Sequence, residues 1–162
     1  MSGVPLTAGL VERLLDRYPG VIAGMKDSSG DLANMIAAAR RFPGFDVFTG
    51  SDELLLPLLR AGGAGCITGV CNVAAFLAAR VFAGWRKSES EAAEAAQARL
   101  TAVRNVFLGY PLSAALKEVV AGHTGQARWR NIRPPLLPVS RDAAEALASA
   151  LERIGFAVPE VP

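Results

Sequence analysis

The chain has 162 residues, of which 51% are hydrophobic and 20% charged. That balance suits one folded domain with a sizeable core and excludes a disordered or fibrous chain. Lysine and arginine number 17, aspartate and glutamate 15, for a net charge of +2. Apart from Arg128, Arg130 and Arg133 the basic residues are spread along the chain, which gives no electrostatic case for a nucleic-acid partner.

The opening MSGVP has neither the basic region nor the apolar core of a signal peptide. No apolar run reaches the roughly 18 residues of a membrane helix, so the expectation is a cytoplasmic protein with no membrane partner. Cys66 and Cys71 lie in an apolar stretch with no neighbouring histidine or further cysteine. They read as a buried, reduced pair rather than metal ligands.

In chain order, Thr7 is placed to cap a helix carrying Leu10, Leu14 and Leu15, ended by Pro19 and Gly20. Three short apolar runs follow, at 21–26, 46–49 and 65–70, each leading through a small polar cluster into a helical pattern. After the first run, Leu32, Met35, Ile36 and Ala39 share one helical face. Strands alternating with helices at this spacing predict βαβ units on a parallel sheet with both faces covered. The alternation then stops. Residues 88–108 read as one long helix with Ala96, Leu100, Val103 and Phe107 in register, and 111–121 as another. An irregular stretch runs from His123 to Pro138, and Ser140 opens a last helix to about Ile154. Three strands are too few for a (β/α)8 barrel, which takes eight in about 250 residues.

Lys26 ends the first strand. In a barrel, the C-terminal strand ends form the mouth where active sites are built. An amine partly withdrawn from water there loses its proton more readily and can attack a ketone carbonyl, which is Schiff-base chemistry. The competing reading is a solvated lysine paired with Asp27 or Asp31. Ser51 and Asp52 admit either a site role or helix N-capping. Gly62, Gly63 and Gly65 precede a strand and read as turn residues, because a phosphate-cradling loop would follow one. His123 has no nearby carboxylate to orient it and reads as a surface or loop residue.

Four ordered segments carry a resemblance to a known family: GMKDSSGD at 24–31, FTGSDE at 48–53, GGAGCITGVCNVA at 62–74 and RPPLLP at 133–138. Together they resemble the C-terminal portion of the dihydrodipicolinate synthase / N-acetylneuraminate lyase family. The resemblance implies an α/β fold in which residues 1–87 form the last three βα units of a TIM (β/α)8 barrel and 88–162 a helical extension packed on it. It implies a class I, Schiff-base lyase or aldolase acting on pyruvate or a 2-keto acid, with Lys26 as the imine-forming residue. Gly50, Ser51 and Asp52 resemble the loop near the mouth of the site. Ile67, with Thr68, resembles the strand position whose backbone lines the pyruvate pocket. No cofactor and no metal are implied, and RPPLLP resembles a rigid connector with Arg133 available for a structural ion pair.

The family's glycine-rich, carboxylate-binding TGE-type loop and its tyrosine-bearing strand have no counterpart in the sequence, and neither Tyr18 nor Tyr110 matches that tyrosine. MSGVPLT resembles the segment just downstream of it. The expectation is therefore an N-terminally truncated chain of doubtful activity by itself, working as a homo-oligomer or with a complementary N-terminal half. The segments GSDELLLP and ITGV lean toward the sugar-acid aldolase branch. Two other readings remain. One is a non-catalytic half-barrel that binds a complementary chain or regulates a full-length paralogue, recruiting it through exposed strand edges. The other is a small doubly wound nucleotide-binding domain, which would need a G-x-G-x-x-G segment that the sequence lacks.

Overall fold

The computed structural model describes residues 6–159, so residues 1–5 of the MSGVPLT segment lie outside the described residues. The chain forms two compact units, Met1–Ile67 and Thr68–Pro162.

The first unit is α/β. It runs α1 (Ala8–Arg17), β1 (Gly24–Asp27), α2 (Leu32–Arg41), β2 (Asp46–Thr49), a 3-10 turn (Asp52–Leu54), α3 (Leu55–Arg60) and β3 (Gly65–Cys66). The three strands are parallel in the order β1-β2-β3, as the βα alternation predicts. Thr7 caps α1, its hydroxyl accepting the Leu10 N–H. The inward side of α1 is set by Val11, which is buried, with Leu15 packed beside it. Leu10 and Leu14 on the same helix stay half-buried. Val11 and Leu15, one turn apart, meet a core made of Met35, Phe42, Phe45, Val47 and Leu58. From α2, Leu32, Ala38 and Ala39 pack against the same cluster around fully buried Met35. Phe42 and Phe45 close the end of α2 edge to face, with ring centroids 5.9 Å apart.

The strands are shorter than their apolar runs. β1 begins at Gly24, because the Val21 N–H turns back onto the Tyr18 carbonyl at 3.1 Å and leaves Val21 71% exposed. β3 ends at Cys66, with one more ladder bond from the Ile67 N–H to the Thr49 carbonyl (2.9 Å). Thr68 does not continue the strand: its hydroxyl accepts the Cys71 N–H at 3.3 Å and starts the next helix. Cys66 and Cys71 are half-buried rather than buried, since both lie where the strand gives way to this helix start.

The second unit is helical: α4 (Cys71–Arg86), α5 (Ser90–Phe107), α6 (Leu112–Thr124), a 3-10 turn (Ala127–Arg130) and α7 (Arg141–Arg153). Gly84 lets α4 and α5 approach closely, since a Cβ there would lie 2.9 Å from the Ala93 nitrogen. Leu100, Val103 and Phe107 are buried as their spacing predicts, whereas Ala96 is only partly covered. α6 continues to Thr124, so His123 belongs to its last turn rather than to a loop, and Gly125 ends it in the left-handed conformation (φ 67°). Ser140 caps α7 by accepting the Ala143 N–H.

Met35 joins α2 to the sheet, so Met35→Ala is expected to cost about 2–5 kcal/mol, whereas the exposed Ala37→Ser should cost under about 1 kcal/mol. Urea denaturation of the two variants beside the parent chain measures both.

Candidate functional site

Alternation along the strands divides the residues of the sheet between its two faces. Met25 and Asp27, in register with Val47 and Thr49, point to the face covered by α1 and α2. Lys26, in register with Phe48 and through it with Gly65, points to the other face. A Cβ on Gly65 would stand 3.4 Å from the Phe48 ring, so the ring lies across the glycine. Lys26 is exposed rather than partly withdrawn from water as expected of a barrel strand end, and Phe48 is half-buried. The two-sided covering expected for β1 is thus confined to one side, because the helices that precede and follow it share a face.

Past Lys26 the strand ends stay tied together. The Gly50 N–H donates to the Asp27 carbonyl at 2.6 Å. A side chain at position 50 would meet Ser28 and the Asp27 carbonyl at 2.6–3.0 Å, so this crossing requires glycine. Ile67 lies two residues beyond Gly65, on the Lys26 face, and is 50% exposed. Lys26, Gly50 and Ile67 therefore lie at the same, C-terminal end of the parallel sheet.

The loop between β1 and α2 is held by a closed ring of hydrogen bonds. Asp27 accepts the Ser29 N–H on Oδ1 (2.7 Å) and the Asn34 side-chain amide on Oδ2 (2.8 Å). Ser29 Oγ accepts the Asp31 N–H (3.1 Å), and Asp31 Oδ1 accepts the Asn34 N–H (3.1 Å) as the N-cap of α2. Both carboxylates near Lys26 are thus engaged away from it. Among the described residues Lys26 makes no hydrogen bond or ion pair, which overturns the expected pairing with Asp27 or Asp31. Burial works against the Asp27 carboxylate, but hydrogen bonds from the Ser29 side chain and backbone and from Asn34 outweigh it and hold its pKa below the ordinary value near 3.8.

The other expected site residues fall into two groups. Ser51 is at the N-cap position of the turn Asp52–Leu54, but its side chain makes no capping bond. Its backbone is fixed instead by fully buried Thr49, whose hydroxyl accepts the Ser51 N–H (2.9 Å) and donates to the Ser51 carbonyl (3.1 Å). Asp52 opens the turn and is 2% exposed. Thr68 belongs to the second unit, where its hydroxyl holds the start of α4. In the connector region the ion pair is made by Arg130, bidentate to Glu118 at 2.8 Å, rather than by Arg133. Asn34 and Thr49 were not singled out from sequence. An amide three residues after an N-capping aspartate is the only signal either one carried.

The ring has a consequence for stability against pH. The folded-state pKa of Asp27 is depressed, so its contribution is present in full above the ordinary carboxylate value and is lost as pH falls through the folded-state value. The stability difference between the parent chain and Asp27→Asn should be constant from about pH 5 to neutrality and shrink below about pH 4. Urea denaturation at a series of pH values tests this, and a difference that does not change with pH would remove Asp27 from the account.

Residues 1–154 match the Dihydrodipicolinate synthetase family. An uncharacterized DapA-like lyase of Chloroflexus aurantiacus is 36% identical over 95% of this chain and 50% of its own length. YagE, a prophage protein of E. coli K12 solved in complex with pyruvate, superposes with a TM-score of 0.82 at 24% identity over 94% of this chain and 52% of its own. The N-acetylneuraminate lyase of Fusobacterium nucleatum, also solved with pyruvate, superposes at 0.81 with 23% identity over 95% and 51%. The chain spans about half the length of the curated relatives it matches. On its motifs, its fold and the match over almost its whole length, the chain belongs to the dihydrodipicolinate synthetase family.

Proposed function

We propose that the chain is part of a class I carbon–carbon lyase or aldolase in which Lys26 forms an imine with pyruvate or a 2-keto acid. Residues 1–87 would supply the last three βα units of a (β/α)8 barrel, and 88–162 the helical extension that follows them. The observation that carries the reading is the state of Lys26: exposed at the C-terminal end of a parallel sheet, with both adjacent acids committed to the β1–α2 loop. Its neutral amine would add to the C2 carbonyl of the keto acid. The carbinolamine then loses water to give an iminium at C2; as a base takes the C4 hydroxyl proton the C3–C4 bond breaks, its electron pair passing into an enamine while C4 leaves as the aldehyde, and protonation of C3 and hydrolysis free pyruvate and Lys26.

Ile67, on the same face, and Thr68 after it would line the keto-acid pocket, with Gly50, Ser51 and Asp52 forming its rim. GSDELLLP and ITGV lean toward the sugar-acid aldolase branch, and the pyruvate held by two structural neighbours supports the keto-acid end of the reading. A second reading has its own support. Among the described residues β1 and β3 each pair with β2 alone, so each presents a strand edge that a complementary half or a second copy would extend.

The lysines are Lys26, Lys87 and Lys117, so labelling can be assigned by peptide mass. With pyruvate and borohydride the adduct is expected on Lys26 in preference to the other two, and Lys26→Arg should abolish it because a guanidinium does not form the imine. Adducts spread evenly over the three lysines would overturn the reading.

A second expectation concerns turnover. General acid–base help contributes about 10²–10⁴-fold, and neither Tyr18 nor Tyr110 matches the family's proton-transferring tyrosine. Pyruvate release from 2-keto-3-deoxy sugar acids or N-acetylneuraminate by residues 1–162 alone should therefore stay near background, and should rise when the chain is co-expressed with the N-terminal half of a relative. Robust turnover by the chain alone, lost in Lys26→Ala, would mean that another residue in it moves the proton.

A further inference from the structure

We infer that Asn34 is a positioning residue for Lys26, acting through Asp27. The inference rests on the imine reading above and adds a residue that does not touch the reacting atoms.

Asp27 follows Lys26 in the chain, and its side chain points to the opposite face of β1. It is tied in two directions. Its carbonyl accepts the Gly50 N–H from the end of β2 (2.6 Å), and its carboxylate accepts the Asn34 amide from the first turn of α2 (2.8 Å). The first tie fixes the end of β1 along the sheet, and the second fixes it against the helix layer. Lys26 lies within the β1–β2 ladder one residue before this anchor, and its side chain has no tie of its own among the described residues. The direction in which its side chain leaves the sheet is therefore inherited from Asp27. Without the Asn34 amide, Asp27 keeps its bonds from the Ser29 backbone and side chain, but those lie within the loop and do not reach α2. A buried carboxylate that loses its donor from α2 is less well satisfied, and the strand end would shift to bring it toward water. Small displacements of a nucleophile are expensive, since about 1 Å can cost on the order of 10²-fold.

Asn34→Asp supplies a readout that mere destabilisation would not. An ionised aspartate cannot donate to Asp27, whereas a protonated one restores a donor where the amide stood. Asp31 in the loop, Asp52 and Glu53 in the turn after β2, and Cys66, in register beyond Thr49, also titrate in this unit. They are common to every variant and cancel in the comparison with Asn34→Ala.

The experiment is borohydride trapping with pyruvate on the 162-residue chain, with the rate at Lys26 taken relative to Lys87 and Lys117 in the same molecules. Near-ultraviolet circular dichroism checks folding at each pH. Asn34→Ala is expected to lower the Lys26 ratio about tenfold while the rates at Lys87 and Lys117 stay unchanged. Asn34→Asp should match the alanine variant at neutral pH and regain the parent ratio as pH falls and the introduced carboxylate and Asp27 come to share a proton. A ratio within twofold of the parent in Asn34→Ala, or no recovery of Asn34→Asp at low pH, overturns the inference. If the parent is labelled at Lys26 and Lys26→Arg is not, either of those results leaves the imine reading standing. Even labelling of the three lysines in the parent overturns both.

Discussion

The arrangement at the sheet end depends on one buried carboxylate. Asp27 would be costly where it stands were its oxygens not satisfied, because an ion in a poorly hydrated site loses more than a neutral group does. It is satisfied by a loop N–H and a helix amide, both of them bonds to a charged acceptor and so stronger than neutral ones. Each such bond contributes about 1.5–3 kcal/mol. The four residues of the ring satisfy one another, so the crossover from β1 to α2 needs no apolar plug and leaves the opposite face of β1 free of the loop.

That division of faces gives the sheet its chemistry. The α1 and α2 side takes Met25, Val47 and the core around Met35. The other side carries Lys26, the ring of Phe48 over Gly65, and Ile67. Among the described residues no helix is long and apolar enough to cross a membrane, and no group of three or more His, Cys, Asp or Glu side chains converges. On the reading proposed above, a primary amine in register with an apolar ring would offer a nucleophile and a surface for a small carbon skeleton.

The parallel α/β class and the place of Lys26 at a strand end were legible because they depend on period and order. Apolar runs of four to six residues followed by amphipathic helices mean βα units whatever the details. Strand limits were less legible, since a turn hydrogen bond at Val21 and a hydroxyl at Thr68 end pairing inside runs that remain apolar. The inward face of α1 was not legible. Leu10, Leu14 and Leu15 are the larger side chains, but Val11 and Leu15 are the pair that meets Met35, and which row of a helix meets the core is decided by the partner. Within the site, GMKDSSGD drew attention to its lysine, while the hydrogen bonds that hold the loop run to Asn34, outside the segment. A ring closed by a side chain seven residues from Asp27 has no linear signature. Thr49 reads as an ordinary strand residue until its hydroxyl is seen to hold both the N–H and the carbonyl of Ser51.

The comparison of Lys26 with Lys117 shows why the ring matters for reactivity. Lys117 donates its ammonium to the Asn131 carbonyl, and it must give up both that bond and a proton before its lone pair can reach an electrophile. Lys26 has only the proton to lose. An aspartate directly after a lysine and another five residues on would ordinarily compete for it, and an exposed ion pair of even a few tenths of a kcal/mol keeps the amine occupied much of the time. Here the competition is removed by giving each acid a better partner: a helix amide and a loop N–H for Asp27, and the Asn34 N–H in the first turn of α2 for Asp31. Charge-assisted bonds to the backbone outweigh a solvated ion pair. The two acids of GMKDSSGD therefore build the loop, and Lys26 makes an ion pair with neither of them.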